Sequence, residues 1–143
     1  MPTYSLLNFT KEESIFIDQV LHHKKAWPVN FRHVLSSPSI FVVKLPKENI
    51  NKIFWNYPYL HNLSVCDRTS NPIKIYICKE NWNSIPQASG YKDLNLYRTY
   101  LILHEFGHAL GLDHAECVEG PAPVMMQQTK GCGKCYPDPW AIK

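Results

Sequence analysis

Three observations in the sequence predict a single α+β domain. Residues 39–45 and Ile73–Cys78 are short runs rich in β-branched residues, as in strands. Residues 10–25 and about 94–110 are longer runs with the apolar spacing of helices. Beyond Gly111, frequent glycines and prolines exclude long regular elements. The order of strand, helix, strands, helix and irregular tail is typical of an α+β fold.

The N-terminal half is predicted as a strand, a helix and a second strand. Residues 3–9 alternate enough to form the first strand. Thr10 and Glu13 have the spacing of a capping box, which satisfies free N–H groups at the start of a helix. The apolar residues behind this cap predict a helix that ends near residue 25. The run at residues 39–45 stops at Pro46 and is typical of a buried strand.

The chain beyond residue 46 holds the most regular predicted strand and the longest predicted helix. Residues 47–60 have no clear period, and residues 59–65 are predicted as a short strand. Ile73–Cys78 alternates most regularly and is predicted as a strand of the same sheet. A polar loop over residues 81–92 then leads into the long helix.

Length and composition are those of one folded domain. The chain has 143 residues, of which 45% are apolar and 19% are charged, so a disordered chain is excluded. The net charge is only +3 and the lysines are scattered, which does not indicate a nucleic-acid partner. No apolar run reaches the length of a membrane span. We therefore expect one domain without a membrane span, and we favour a monomer.

The five cysteines bear on the cellular compartment. Their odd number leaves at least one unpaired within the chain. Cys66 and Cys78 lie around the predicted central strand, and disulfides there or in the tail would favour an oxidising, extracytoplasmic setting. Buried free thiols are the alternative. The N-terminal residues lack the pattern of a signal peptide, so we expect either an intracellular protein or one exported by another route or from a precursor.

The strongest chemical signal is the sequence HEFGHALGLDH at residues 104–114. His104 and His108 are four residues apart, so on a helix they project from one face and can bind one zinc ion. Glu105 is angled away from that ion, and its carboxylate can reach a water molecule without becoming a ligand. A catalytic zinc ion has three protein ligands and an open position, so a third ligand is required.

The third ligand requires the helix to stop. Six residues beyond His108, His114 would point to roughly the opposite side of a continuing helix. Gly111 tolerates the left-handed conformation that commonly ends helices, so the chain can turn and bring His114 to the metal. Chance matches to HExxH are common, but each further fixed residue reduces them about tenfold. We therefore predict one zinc ion held by His104, His108 and His114.

The full pattern H-E-x-x-H-x-x-G-x-x-H resembles the signature of the metzincin zinc peptidases, and its letters resemble the matrix metalloproteinases closely. The resemblance implies a zincin-like fold, with a small twisted mixed sheet and two main helices in an upper part (about residues 1–111). A short irregular lower part (about residues 112–143) would follow. The resemblance also implies Glu105 as the general base and a methionine in a tight turn beneath the zinc site. We favour Met125 for that methionine, with Met126 as the neighbouring alternative.

The tail resembles an uncharacterised bacterial family of metzincin type. The shared features are a cysteine soon after the third histidine, a PAPVM-QQT run, a later cysteine and a P-N-P-W-like end. Asp138 replaces the asparagine of that end, and Cys132 is an additional cysteine. Cys132 and Cys135 also have the spacing of a metal knuckle, so a second, structural zinc is one interpretation. We favour the other, a disulfide between Cys117 and Cys135.

These patterns predict a zinc-dependent endopeptidase that acts on a peptide or protein substrate. The resemblance implies that an extended substrate pairs with an edge strand, which chain order places near residues 59–65. It also implies that residues 121–129 shape the pocket beyond the cleaved bond. The alternative is a zinc-binding module of the same fold that acts in binding or structure. The presence of Glu105 favours the enzyme, because a site without catalysis need not keep its base.

Overall fold

The computed structural model describes residues 2–143, and its core is a five-stranded mixed sheet in the order β2-β1-β3-β5-β4. The strands are β1 (Thr3–Leu7), β2 (Arg32–His33), β3 (Ile40–Leu45), β4 (Val65–Asp67) and β5 (Ile73–Cys78). The α-helices are α1 (Lys11–Leu21), α2 (Lys47–Ile53), α3 (Lys79–Asn83) and α4 (Leu94–Ala109). Only β4 runs antiparallel to its neighbour. The prediction of an α+β fold is confirmed.

The bounds of α1 and β5 are close to those predicted from capping residues and apolar periodicity. Thr10 caps α1, since its side chain accepts from the Glu13 N–H while the Glu13 carboxylate accepts from the Thr10 N–H, as in a capping box. The helix ends at Leu21, four residues before the predicted end. The predicted strand at Ile73–Cys78 has the same bounds in the structure. Strong periodicity and cap chemistry are local properties, which explains this agreement.

The two faces of the sheet are covered by different helices. Val42, Ile75 and Ile77 point to one face and pack in a core with α1 and α4. Val65 and Cys78 point to the other face and pack against Ile50 of α2. The alternation of side chains along each strand produces this division. The main core therefore lies between the sheet and the two longest helices.

Of the two possibilities for Cys66 and Cys78, a disulfide or free thiols, the structure has free thiols. Cys66 lies opposite Ile75 in the β4–β5 register and shares its face, whereas Cys78 lies on the face of Tyr76. The two thiols therefore point to opposite sides of the sheet, and both are free. Cys66 packs at the margin of the main core, and Cys78 packs against Ile50.

The segment between β3 and β5 differs most from the prediction. Helix α2 occupies residues that showed no period, and residues Pro58–Leu60 form a turn of 3₁₀ helix. The edge strand is Val65–Asp67, so the strand predicted at residues 59–65 lies too early in the chain. Short α3 also overlaps the start of the loop predicted at residues 81–92. No helix among residues 2–143 is long and apolar enough to cross a membrane.

The tail is held by a disulfide and a minimal sheet. Cys117 is bonded to Cys135, which confirms the favoured pairing. Because the sulfur of Cys135 is used in this disulfide, Cys132 and Cys135 cannot form a metal knuckle, and Cys132 is a buried free thiol. Beside the disulfide, β6 (Gly120–Pro121) pairs in parallel with β7 (Cys135–Tyr136). A disulfide of this kind is compatible with an oxidising setting.

Removal of this disulfide is expected to destabilise the chain. The bond spans 18 residues, and a loop of that length contributes roughly 3 kcal/mol by restricting the unfolded chain. We predict that replacing Cys117 and Cys135 together with serine lowers the free energy of unfolding by about 2–4 kcal/mol in urea denaturation. As a control, Cys66→Ser keeps the disulfide, so a reductant should still lower the free energy of unfolding of this variant. Equal stability of the wild type and the double variant would contradict the prediction.

Candidate metal centre

The long helix α4 fixes the first two histidines and the glutamate. Asp93 caps its start, because the carboxylate accepts from the N–H groups of Asn95 and Leu96 at 2.8 and 3.1 Å. The helix then packs against α1 and against β4 and β5 at the edge of the sheet. His104 and Glu105 are almost fully buried, at 5% and 4% exposure. The turn that carries His104 and Glu105 is therefore part of the core.

The helix ends in a Schellman motif that redirects the chain towards the site. Gly111 has a φ of +98°. Its N–H donates to the His108 carbonyl at 2.9 Å, and the Leu112 N–H donates to the Gly107 carbonyl at 3.0 Å. This pair of hydrogen bonds defines the motif, which requires a left-handed residue at the position of Gly111. The chain leaves the helix sharply, and His114 returns to the other two histidines.

The three imidazoles converge on one point. A ring nitrogen from each of His104, His108 and His114 lies within 4.8 Å of the others. The Nε2 atoms of His108 and His114 are 3.1 Å apart. In a tetrahedral site with zinc–nitrogen bonds of 2.0–2.1 Å, ligand nitrogens are separated by about 3.3 Å. The cluster is therefore close to the dimensions of a zinc site.

Backbone carbonyls orient two of the rings. His104 Nδ1 lies 2.7 Å from the Val124 carbonyl oxygen, and His108 Nδ1 lies 2.8 Å from the Leu112 carbonyl oxygen. Since a carbonyl only accepts, each Nδ1 carries the proton and each Nε2 presents a lone pair. Metal-binding histidines almost always donate their second N–H in this way, which fixes the tautomer. This donor set fits a zinc ion.

Burial keeps the cluster neutral, as metal binding requires. It lowers the pKa of His104 to about 3, with a smaller contribution from the neighbouring imidazoles. Burial also lowers the pKa of His108 and of His114, and the Lys130 ammonium depresses the His114 pKa further. Neutral imidazoles are the form that binds metal ions, so the cluster needs no deprotonation at neutral pH.

Glu105 is a carboxyl group in an apolar surrounding. Its side chain borders the same cleft as the three histidines. Burial raises the pKa of Glu105 to about 8, so the neutral and charged forms are close in free energy. A cation at the histidines would favour the charged form. A carboxyl group in this environment is suited to exchanging protons near neutral pH.

Met125 packs beneath the ligand-bearing helix. Its side chain fills the space left by Gly107, where a Cβ atom would overlap the Met125 sulfur and lie 2.8 Å from Cζ2 of Trp27. The Met125 carbonyl accepts from the Ala115 N–H at 3.0 Å, next to the third histidine. Met125 therefore contacts the helix between His104 and His108, and the residue next to His114.

A buried polar network holds residues 127–129 of the tail against α4. Gln128 is fully buried, and its Oε1 accepts from Tyr91 Oη at 2.6 Å and from the Asp138 N–H at 3.2 Å. Its Nε2 donates to the Asp138 carbonyl at 2.8 Å. The Tyr100 hydroxyl accepts from the Gln128 N–H and donates to the Met126 carbonyl. A fully satisfied buried network specifies one arrangement of the tail against α4.

A cleft of about 200 Å³ opens over the histidines. One wall comes from the segment that leads into β4, with Leu60, Leu63 and Val65. The other comes from the tail, with Gln127, Thr129 and Lys130. The cleft therefore runs between the edge of the sheet and the tail, with the three imidazoles at its centre.

The sequence motif located the histidines and Glu105 but missed several residues of the site. Glycine is disfavoured inside a helix, so the presence of Gly107 was a sequence signal of close packing at this position. Arg68 also contributes, because its guanidinium pairs with Asp113 at 2.9 Å and connects the loop before His114 to the turn that follows the edge strand. No local pattern marked Arg68 or Gln128, since both act through distant parts of the chain.

Fold and site together define an α+β protein with a three-histidine centre suited to a metal ion. The family profile DUF3152, described as a protein of unknown function, matches residues 10–136. The chain belongs to this family, since the match covers most of its length. The curated proteins contain no significant match to the chain.

Proposed function

We propose that the chain is a zinc-dependent endopeptidase of metzincin type. The observation that carries the proposal is the convergence of three neutral imidazoles beside a buried carboxyl group in an open cleft. Backbone carbonyls that fix the histidine tautomers support zinc as the metal. The motif spacing and the methionine beneath Gly107 support the metzincin type.

In this proposal His104, His108 and His114 hold the metal. A zinc ion bound by these residues would lower the pKa of a water molecule to about 7 and would polarise the carbonyl of the bond to be cleaved. A carboxylate oxygen of Glu105 takes one proton from the attacking water and delivers it to the nitrogen of the departing amine. Peptide and water are thereby converted to a carboxylic acid and an amine, and Glu105 returns to its initial form.

The cleft supports a polypeptide as the substrate. Strand β4 forms the edge of the sheet beside the histidines, and Val65 and Cys66 of this strand border the cleft. An edge strand presents free N–H and C=O groups that can pair with an extended peptide. The tail closes the opposite side, so an extended chain would cross the imidazoles between the two walls.

Zinc should stabilise the folded chain through these three residues. At free zinc 100 times the dissociation constant, binding to the native state alone adds about 2.7 kcal/mol. For a chain of this size we expect a rise of roughly 5–10 °C in melting temperature. The measurement is differential scanning fluorimetry with zinc titration. The variant His108→Ala should lose most of the rise, and an equal rise in that variant would contradict the assignment.

The proposed activity is tested by hydrolysis of unfolded casein. The zinc-loaded chain should release peptides, a chelator should stop the release, and added zinc should restore it. A zinc-loaded chain that leaves casein and a mixed peptide library intact would contradict the proposal. In that case the centre would belong to a zinc-binding module without peptidase activity.

A further inference from the structure

The two walls of the cleft differ in charge. Leu60, Leu63 and Val65 give the wall beside β4 an apolar surface, and the guanidinium of Arg68 on the same side is paired with Asp113. The tail wall carries the ammonium group of Lys130, next to the polar side chains of Gln127 and Thr129. A substrate in the cleft therefore meets apolar side chains and a paired guanidinium on one side and the ammonium of Lys130 on the other.

Lys130 is the cation that remains free in this cleft. Of the charged residues on its walls, Arg68 is paired with Asp113 at 2.9 Å, and Glu105 is buried next to the histidines. Within residues 2–143 no carboxylate lies within ion-pair distance of Lys130. Its positive charge is therefore available to a ligand.

The backbone that carries Lys130 is held firmly. The 3₁₀ turn Gln128–Lys130 is fixed by the buried side chain of Gln128 and by a 2.9 Å hydrogen bond between Thr129 Oγ1 and Tyr97 Oη. The Lys130 N–H donates to the Gln127 carbonyl at 3.1 Å. The stem of the side chain is exposed and flexible, so the ammonium can follow a carboxylate in the cleft.

We propose that Lys130 selects acidic peptides, by pairing with an aspartate or glutamate side chain beside the bond that lies over the histidines. The inference rests on the proposed function, since it names the substrate class of that site. The charges of the cleft favour it, because an anionic side chain would complement the ammonium of Lys130, whereas the Glu105 carboxyl group of the cleft is buried.

The test compares peptides that differ only in Glu, Gln or Lys at positions flanking the cleaved bond, once that bond has been found by mass spectrometry. The wild type should cleave the Glu peptide about two- to fivefold faster than the Gln peptide in kcat/KM, as expected for a solvent-exposed ion pair. Salt should reduce this ratio. Lys130→Glu should reverse the preference towards the Lys peptide, and Lys134→Gln, an exposed lysine of the same tail, should leave it unchanged.

A second readout separates this inference from the proposed function. Binding of the fluorescently labelled Glu and Gln peptides is measured by anisotropy with the metal-free chain, which needs no catalysis. The inference is supported if the wild type binds the Glu peptide more tightly than the Gln peptide and Lys130→Gln does not, even if no peptide is cleaved. Equal affinity for the two peptides, or a preference that survives in Lys130→Glu, overturns it.

Discussion

Glu105→Gln is expected to lower kcat/KM for peptide hydrolysis by roughly 10²–10⁴-fold, the usual contribution of a general base. The amide has the size of the carboxyl group but cannot accept and return the proton. Because the three imidazoles form the cluster without Glu105, zinc affinity should stay within a few-fold of the wild type. The measurements are steady-state kinetics on a fluorogenic peptide and zinc titration against a competing chelator.

A matched control distinguishes this effect from a general disturbance of the cleft. Cys66→Ser changes another side chain of the cleft with little change in volume, and it should retain most of the activity. Full activity in Glu105→Gln would contradict the assigned mechanism. Loss of zinc in that variant would mean that Glu105 acts through the metal site rather than through the proton.

Gly107→Ala is expected to destabilise the chain by about 1–3 kcal/mol, although alanine is the better helix former by up to about 1 kcal/mol. The added Cβ would overlap the Met125 sulfur and press on the Trp27 ring. That ring cannot retreat freely, since its Nε1 donates to the Leu103 carbonyl at 2.7 Å. Because Gly107 lies between His104 and His108, we also expect weaker zinc binding. Urea denaturation and zinc titration measure the two effects.

Two variants make this prediction specific. Asn95→Ala lies on an exposed part of the same helix and should change the free energy of unfolding by less than about 0.5 kcal/mol. In a Met125→Ala background, the added cost of Gly107→Ala should fall, because the closest contact is gone. The prediction would be contradicted if Gly107→Ala had the stability and zinc affinity of the wild type, because Met125 and Trp27 would then move aside without loss of free energy.

The sequence predicted those parts of the site that depend on one helix and its end. Spacing along α4 placed His104 and His108 together, and Gly111 marked the turn that returns His114. Both are local properties, as is the capping of α1 by Thr10.

The rest depended on contacts between distant residues. The edge strand was predicted several residues too early, because the register of β4 is set by pairing with β5 rather than by its own short sequence. The same register sets the face of each cysteine, so the sequence left open whether Cys66 and Cys78 form a disulfide or stay free thiols. Gln128 could not be identified either, since its role depends on Tyr91 and Asp138.

The central claim is that zinc at the three histidines supports cleavage of peptide bonds. The most direct measurement maps newly formed N-termini by mass spectrometry in a denatured proteome that is incubated with the chain. We predict new termini with the zinc-loaded wild type, few with the chelated chain and few with zinc-loaded Glu105→Gln. An excess of acidic residues beside the cleaved bonds would further agree with the role of Lys130. If zinc-loaded wild type and Glu105→Gln give the same set of termini, the claim is contradicted.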